Sequence, residues 1–112
     1  MKPIIETIEF HGIEAFRLHG PRGSSAVISR LGAQVLSWNT PDGRERLFLS
    51  ERAVFDGSVA IRGGIPVCFP QFAGLGDLPK HGFVRTREWS LAAQRCDDDY
   101  ALATLEIADG AE

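Results

Sequence analysis

The sequence predicts an all-β chain, an antiparallel sandwich built from short strands. Three observations predict it. Short stretches alternate apolar and polar residues, as in Ile4, Thr7, Ile8 and Phe10 with Glu6 and Glu9 between them. Clusters of Gly, Pro and Asp separate these stretches at short intervals. No window keeps the helical spacing of apolar residues for three turns.

In chain order, residues 4–10 form the first strand. The second carries Ile13, Ala15, Phe16 and Leu18 and follows directly on His11-Gly12, so the two pair as a hairpin. Gly20-Pro21-Arg22-Gly23 marks a turn. Residues 25–29 (SAVIS) and 34–38 (QVLSW) are the next strands, joined at Leu31-Gly32-Ala33. Pro41-Asp42-Gly43 is a turn in which Pro fixes φ and Gly accepts positive φ. Leu47-Phe48-Leu49 reads as a short apolar strand, and residues 50–55 as one helical turn capped by Ser50. Residues 89–93 and 100–107 are two late strands, split by the polar residues 96–99. Within that split, Asp97-Asp98-Asp99 reads as a solvated turn, because like charges packed together repel. His11 and His19, beside glycines, read as turn residues, and Trp89 as core. A sheet that ends near Ala108-Asp109-Gly110 leaves an unpaired edge, which natural proteins usually protect.

Composition narrows the function classes. The 112 residues make one domain at most, with 44% hydrophobic and 24% charged residues. The net charge of −3 and pI near 5.6 argue against nucleic-acid binding by broad electrostatics and against a polybasic membrane surface. The N-terminus MKPIIETIEF places Glu6 and Glu9 where a signal peptide carries an apolar run. No apolar stretch approaches the roughly 20 residues that span a bilayer. Cys68 and Cys96 lack CxxC spacing, and Cys68, within PVCFP, reads as a buried thiol in a reducing cytoplasm.

Residues 61–89, IRGGIPVCFPQFAGLGDLPKHGFVRTREW, carry the chemistry. Glycines and prolines interrupt this stretch too often for plain helix or strand. It gathers Arg62, Gln71, Lys80, His81, Arg85 and Arg87, and suits a preformed wall that aims several such groups at one small anionic polar ligand. At Arg62-Gly63-Gly64 the glycines let the backbone pass close to a neighbour; taken alone, Arg62 reads as a surface charge beside a β-bulge, and otherwise as a fork of two N–H donors for paired oxygens. His81 titrates near neutrality and stands before Gly82 on an irregular loop. If residues 83–85 are extended, Phe83 and Arg85 share a face. Arg87 reads as a surface charge beside Glu88. No second His or Cys lies at ligand spacing from His81, so no metal is expected. GLGD is not a nucleotide-cradling loop, since it lacks GxxxxGK[ST].

Taken together, IRGGIPVCFPQF followed by LPKHGFVRTREW resembles the hexose-6-phosphate mutarotases (glucose-6-phosphate 1-epimerases), a branch of the aldose 1-epimerase group. SRLGAQVLSW and LFLSERAVFDGSVAIRGG are similar to that family's N-terminal part. The resemblance implies a galactose-mutarotase-like β-sandwich, of which this chain is the N-terminal portion, and cofactor-independent exchange of α and β anomers of a phosphorylated aldohexose. It implies substrate-binding roles for Arg62, Lys80, His81 and Arg85. Lys80 departs from the neutral polar residue often found there. The family's proton-shuttling His and Glu are expected beyond Glu112, so no catalytic residue is assigned within the chain. Two other readings stand beside the enzyme lineage: a non-catalytic phosphosugar-binding module, and a fragment that assembles into a homo-oligomer through open sheet edges.

Overall fold

Strand alternation and turn chemistry fix the first sheet. β1 (Ile4–Phe10) and β2 (Ile13–His19) pair antiparallel from Ile4 opposite His19 to Phe10 opposite Ile13. Their turn, His11-Gly12, has φ of 48° and 89°. Two positive values give the primed turn geometry whose twist matches the flanking strands. A single 3-10 turn at Pro21–Gly23 leads to β3 (Ser25–Ser29), and a tight corner leads on to β4 (Val35–Asn39). The computed structural model describes residues 4–59, 61–67, 85 and 87–107.

The four strands form one antiparallel sheet in the order β1-β2-β3-β4. β5 (Ser90–Cys96) and β6 (Ala101–Glu106) form a separate antiparallel hairpin that lies against β1 and β2. Asp97 closes this hairpin by donating its N–H to the Tyr100 carbonyl at 2.9 Å. The all-β antiparallel architecture is therefore as the sequence predicts, and no α-helix occurs among the described residues.

The core gathers under the β3–β4 corner. Leu31, Leu36 and Ile61 are buried together, with Phe10, Ile13, Leu49, Ala53 and Phe55 packed around them. Each such side chain contributes about 1.5–3 kcal/mol when fully removed from water. His11, at the hairpin tip, stacks on Phe55 with ring centroids 4.8 Å apart.

Several elements differ from the expectation. Residues 47–49 are not a strand, and Phe48 is 76% exposed. The Glu45 carboxylate accepts the N–H groups of Trp38 (2.8 Å) and Leu47 (3.1 Å), so those donors do not enter a ladder. Only isolated bridges remain there, Asn39 with Glu45 and Leu49 with Gly63. Residues 50–55 make one tight turn rather than a helical one. The Ala53 N–H reaches the Ser50 carbonyl, and Ser50 Oγ accepts from the Arg52 N–H at 3.1 Å. His19 closes β2 instead of a turn, and its Nε2 lies 2.7 Å from Glu6 Oε1 across the hairpin. Trp89 is half-buried rather than core and precedes β5. Glu88 reaches Arg30 at 3.7 Å.

Candidate functional site

The site is built on the corner between β3 and β4. Leu31, Gly32 and Ala33 turn the chain through positive φ at Gly32 (77°) and Ala33 (46°). Ser29, fully buried, staples the corner. Its N–H donates to the Gln34 carbonyl (2.9 Å), and its hydroxyl donates to the Leu31 carbonyl (2.5 Å). A corner closed by its own main chain presents its outer edges to other segments. Two segments use them.

The first is residues 61–65. Val35 and Ile65 exchange two N–H···O bonds (3.1 and 2.8 Å), while Gly64 N–H donates to the Phe48 carbonyl (2.7 Å). Ser50 N–H donates to the Arg62 carbonyl at 2.9 Å. The segment is thus threaded between residues 48–50 and residues 34–36. Only glycine fits there. A Cβ on Gly63 (φ 120°) would lie 2.6 Å from Leu49 Cα, and one on Gly64 (φ 65°) would collide with the Val35 carbonyl. Gln34, buried at 1% exposure, donates from Nε2 to the carbonyls of Ile61 (3.0 Å) and Gly63. With Ile61 anchored in the core, the Arg62 side chain points outward.

The second segment contains Arg85 and residues 87–89. Gly32 N–H donates to the Arg87 carbonyl and Trp89 N–H to the Arg30 carbonyl, both at 2.7 Å. Leu31 bridges Glu88. Arg30 adds Nε to the Trp89 carbonyl (2.9 Å) and a guanidinium nitrogen to Glu14 Oε1 (2.7 Å). The hydrogen bond and charge of Glu14, with the charge of Glu88, raise the Arg30 pKa against the desolvation that lowers it. The Arg85 backbone rests against Gly32, where an added Cβ would lie 2.6 Å from the Arg85 carbonyl oxygen.

Arg62 and Arg85 meet at one open hollow of about 490 Å³, lined also by Ile61, Gly63, Gly64 and Pro66. That volume lies within the roughly 300–1,000 Å³ of small-molecule sites. Arg62 and Arg85 thus both line the same concave surface. Each offers a planar fork of N–H donors that matches phosphate, carboxylate or paired hydroxyl oxygens. Their grouping in a chain of net charge −3 therefore favours an anionic, oxygen-rich ligand. A second hollow, about 160 Å³ beside Leu18, Ala26, Trp38 and Ala101, has no cation among its described lining residues. No group of three or more His, Cys, Asp or Glu suited to a metal occurs among the described residues.

Of the residues predicted from sequence, Arg62 and Arg85 are brought together. Lys80 and His81 lie outside the described residues, as do Gln71 and Cys68. Sequence reasoning placed the Leu31-Gly32-Ala33 joint but not its part in the site, and missed the roles of Ser29 and, above all, Gln34. A Gln leading a run of apolar strand residues in AQVLSW is the signal that could have found it. Cys96 is an exposed free thiol at the end of β5.

Comparison with known proteins adds lineage to this geometry. The aldose 1-epimerase family model matches residues 14–112. A protein of Cenchrus ciliaris named "Putative glucose-6-phosphate 1-epimerase" is 50% identical over 80 residues, covering 71% of this chain and 24% of the relative. Proteins of the same name from Escherichia coli K12 and Salmonella typhimurium LT2 are each 42% identical. They cover 72% and 68% of this chain, and 28% and 26% of the relatives. The chain thus spans about a quarter of the curated relatives it matches. Among solved structures, the Salmonella typhimurium protein YeaD, described as a "putative mutarotase", superposes with a TM-score of 0.84 at 31% identity, over 96% of this chain and 37% of that one. The crystal structure of HI1317 gives a TM-score of 0.81 at 30% identity, over 97% and 43%.

Proposed function

Because the chain belongs to the aldose 1-epimerase family, we propose that it supplies the substrate-binding wall of a hexose-6-phosphate mutarotase, which interconverts the α and β anomers of a phosphorylated aldohexose such as glucose 6-phosphate. The observation that carries this reading is the convergence of Arg62 and Arg85 on one hollow. A phosphate monoester offers an anion that the forked donors of both arginines match, and the hexose hydroxyls supply further acceptors. Lys80 and His81 are further substrate-binding residues in this reading. The setting is the cytoplasm, where the thiols stay reduced.

Mutarotation breaks and remakes one bond. An acid protonates the ring oxygen while a base removes the proton of the anomeric hydroxyl. The C1–O5 bond opens to the free aldehyde, the C1–C2 bond rotates, and the two groups reverse roles as the ring closes. No oxidation occurs and no cofactor is needed. Placed proton-transfer groups contribute about 10²–10⁴-fold to such a step. Arginine remains protonated at any working pH, so Arg62 and Arg85 bind and orient the sugar phosphate and leave proton transfer to other groups. We assign that transfer to a His and a Glu in the part of the longer relatives beyond Glu112. Binding that is equal in ground and transition states does not raise kcat.

Two measurements test this reading. Calorimetric titration of the 112-residue chain should show heat with glucose 6-phosphate, competition by inorganic phosphate, and none with glucose at the same concentration. Arg62→Ala or Arg85→Ala should each weaken binding roughly 10- to 150-fold, since a hydrogen bond to a charged group is worth roughly 1.5–3 kcal/mol. NMR exchange spectroscopy should show anomer exchange at the buffer rate with this chain and faster exchange with a chain extended to the relatives' length. Absence of heat with every sugar phosphate would refute the binding wall, and buffer-rate exchange in the extended chain would refute the mutarotase assignment. A second reading, assembly with another copy along the β4 side, is favoured by the exposure of Phe48, Ile65 and Trp38 there. Sedimentation over a concentration series decides it: a monomer throughout excludes it.

A further inference from the structure

Gln34 holds an unusual position for a polar side chain. It is 1% exposed, and its Nε2 donates to two carbonyls, those of Ile61 and Gly63, which flank Arg62 on either side. Its Oε1 is buried and has no hydrogen-bond partner. The amide orientation is fixed by this environment, because the flipped form would set Oε1 against two carbonyl oxygens. An orphaned buried acceptor is destabilising, but an apolar residue of the same length would leave the Ile61 and Gly63 carbonyls without the donor that Nε2 gives them. What Gln34 does is hold the carbonyls of both residues that flank Arg62, while Ser50 N–H holds the Arg62 carbonyl from the opposite edge. Gly63 and Gly64 have no side chain to lock the backbone at this point, so the segment relies on such external bonds for its direction.

We propose that Gln34 is a positioning residue for the anion site: it fixes the main chain at residues 61–63 so that the Arg62 guanidinium faces Arg85 across the hollow. The role of that hollow in binding a phosphorylated sugar rests on the function proposed above. The pinning of Arg62 does not. Gln34 touches no ligand itself. It acts through two carbonyl groups, and its removal leaves the Arg62 side chain intact but frees the direction from which it emerges.

The test compares Gln34→Met, close in length and shape but without donors, with Val27→Ala. Val27 is buried in β3 and lies outside the hollow's lining, so its truncation lowers stability without touching residues 61–63. Two readouts are taken. Amide hydrogen exchange at Ser50 and Gly64 reports whether the main chain around Arg62 stays pinned. The ¹⁵Nε–Hε resonances of Arg62 and Arg85 are followed during titration with inorganic phosphate and with glucose 6-phosphate. The expected result for Gln34→Met is faster exchange at Ser50 and Gly64, loss of the Arg62 response with that of Arg85 retained, and affinity for glucose 6-phosphate lower by about tenfold. Val27→Ala is expected to bind within about twofold of the parent despite its lower stability. Gln34→Glu supplies a conservative check. Burial and the two facing carbonyls favour its protonated form, whose O–H can serve one of them and restore part of the affinity. Unchanged exchange and affinity in Gln34→Met overturn the proposal, as does an equal loss of affinity in Val27→Ala. If the parent chain responds to neither probe, the phosphosugar reading fails, and the exchange at Ser50 and Gly64 alone decides whether Gln34 pins Arg62.

Discussion

Replacing Gly64 with alanine tests whether main-chain threading builds the site. Gly64 sits at φ 65°, where a Cβ would run into the Val35 carbonyl and approach Leu36 Cα to 3.3 Å. The left-handed conformation costs an alanine about 1–2 kcal/mol. To relieve the collision, the segment must move off β4 and stretch or break the two Val35–Ile65 bonds of 3.1 and 2.8 Å. Each such bond is worth about 0.5–1.5 kcal/mol net, so the collision adds roughly 1–3 kcal/mol. Gly43 provides an internal control. Its φ is 84°, but nothing lies within 4 Å of its virtual Cβ, so Gly43→Ala carries only the conformational cost. Urea denaturation of both variants isolates the difference. In a domain of about 100 residues, each kcal/mol moves Tm by about 4–8 °C, so a thermal scan resolves it as well. Gly64→Ala should fall below Gly43→Ala by at least ~1 kcal/mol. A difference under about 0.5 kcal/mol, the range of ordinary surface substitutions, would show that the segment is not wedged as described.

Two further predictions concern the supports around the site. Burial tends to raise the Glu45 pKa, but hydrogen bonds from Ser37 Oγ and from the N–H groups of Trp38, Leu47 and Arg46 outweigh it, so the group lies below its ordinary 4.5. A carboxylate whose pKa is lowered on folding stabilises fully above the unfolded value and loses that contribution as pH falls through the folded one. The urea midpoint should therefore drop as pH falls below 4.5, and Glu45→Gln should flatten that part of the profile; an unchanged slope would contradict the assignment. Arg30→Ala removes the bond to the Trp89 carbonyl and the pair with Glu14. It should cost about 1–2 kcal/mol in urea denaturation, whereas a loss below ~0.5 kcal/mol would mean that the main-chain bonds at Gly32 and Trp89 hold the segment unaided.

The strands were legible where local pattern and turn chemistry agree. Residues 4–10 and the run after His11-Gly12 carry alternation on both sides of a turn that only positive φ can close, and β1 and β2 follow it in register. SAVIS is β3 to the residue. Leu47-Phe48-Leu49 was misread because apolar content alone suggested a strand. What decides that stretch is a carboxylate eight residues after Ser37 that captures backbone donors, and no periodicity records such a capture. His19 was misread for a similar reason, since its partner Glu6 lies across a hairpin rather than nearby in sequence. At the site, Arg62 and Arg85 could be picked out by residue type beside glycines. The corner that brings them together could not, because Gly32, Ser29 and Gln34 act through contacts with segments distant in sequence.

Both arginines depend on one short stretch of chain, and that dependence has a chemical consequence. Residues 30–35 form main-chain bonds to residue 65 on one side and to residues 87 and 89 on the other. The relative placement of the two guanidinium-bearing segments is therefore set by backbone geometry before any ligand arrives. A site organised in this way loses less conformational entropy when an anion binds, because the segments that carry its charges are already ordered. The same rigidity limits what the wall can do. Permanent cations held in fixed directions stabilise a phosphate equally well on either anomer and on the open-chain aldehyde, since the phosphate group does not change during the reaction. Discrimination between ground and transition state must then come from groups that meet the ring oxygen and the anomeric hydroxyl, whose charges do change. Anion binding and proton transfer are thus separable tasks in this fold, and the β3–β4 corner serves the first.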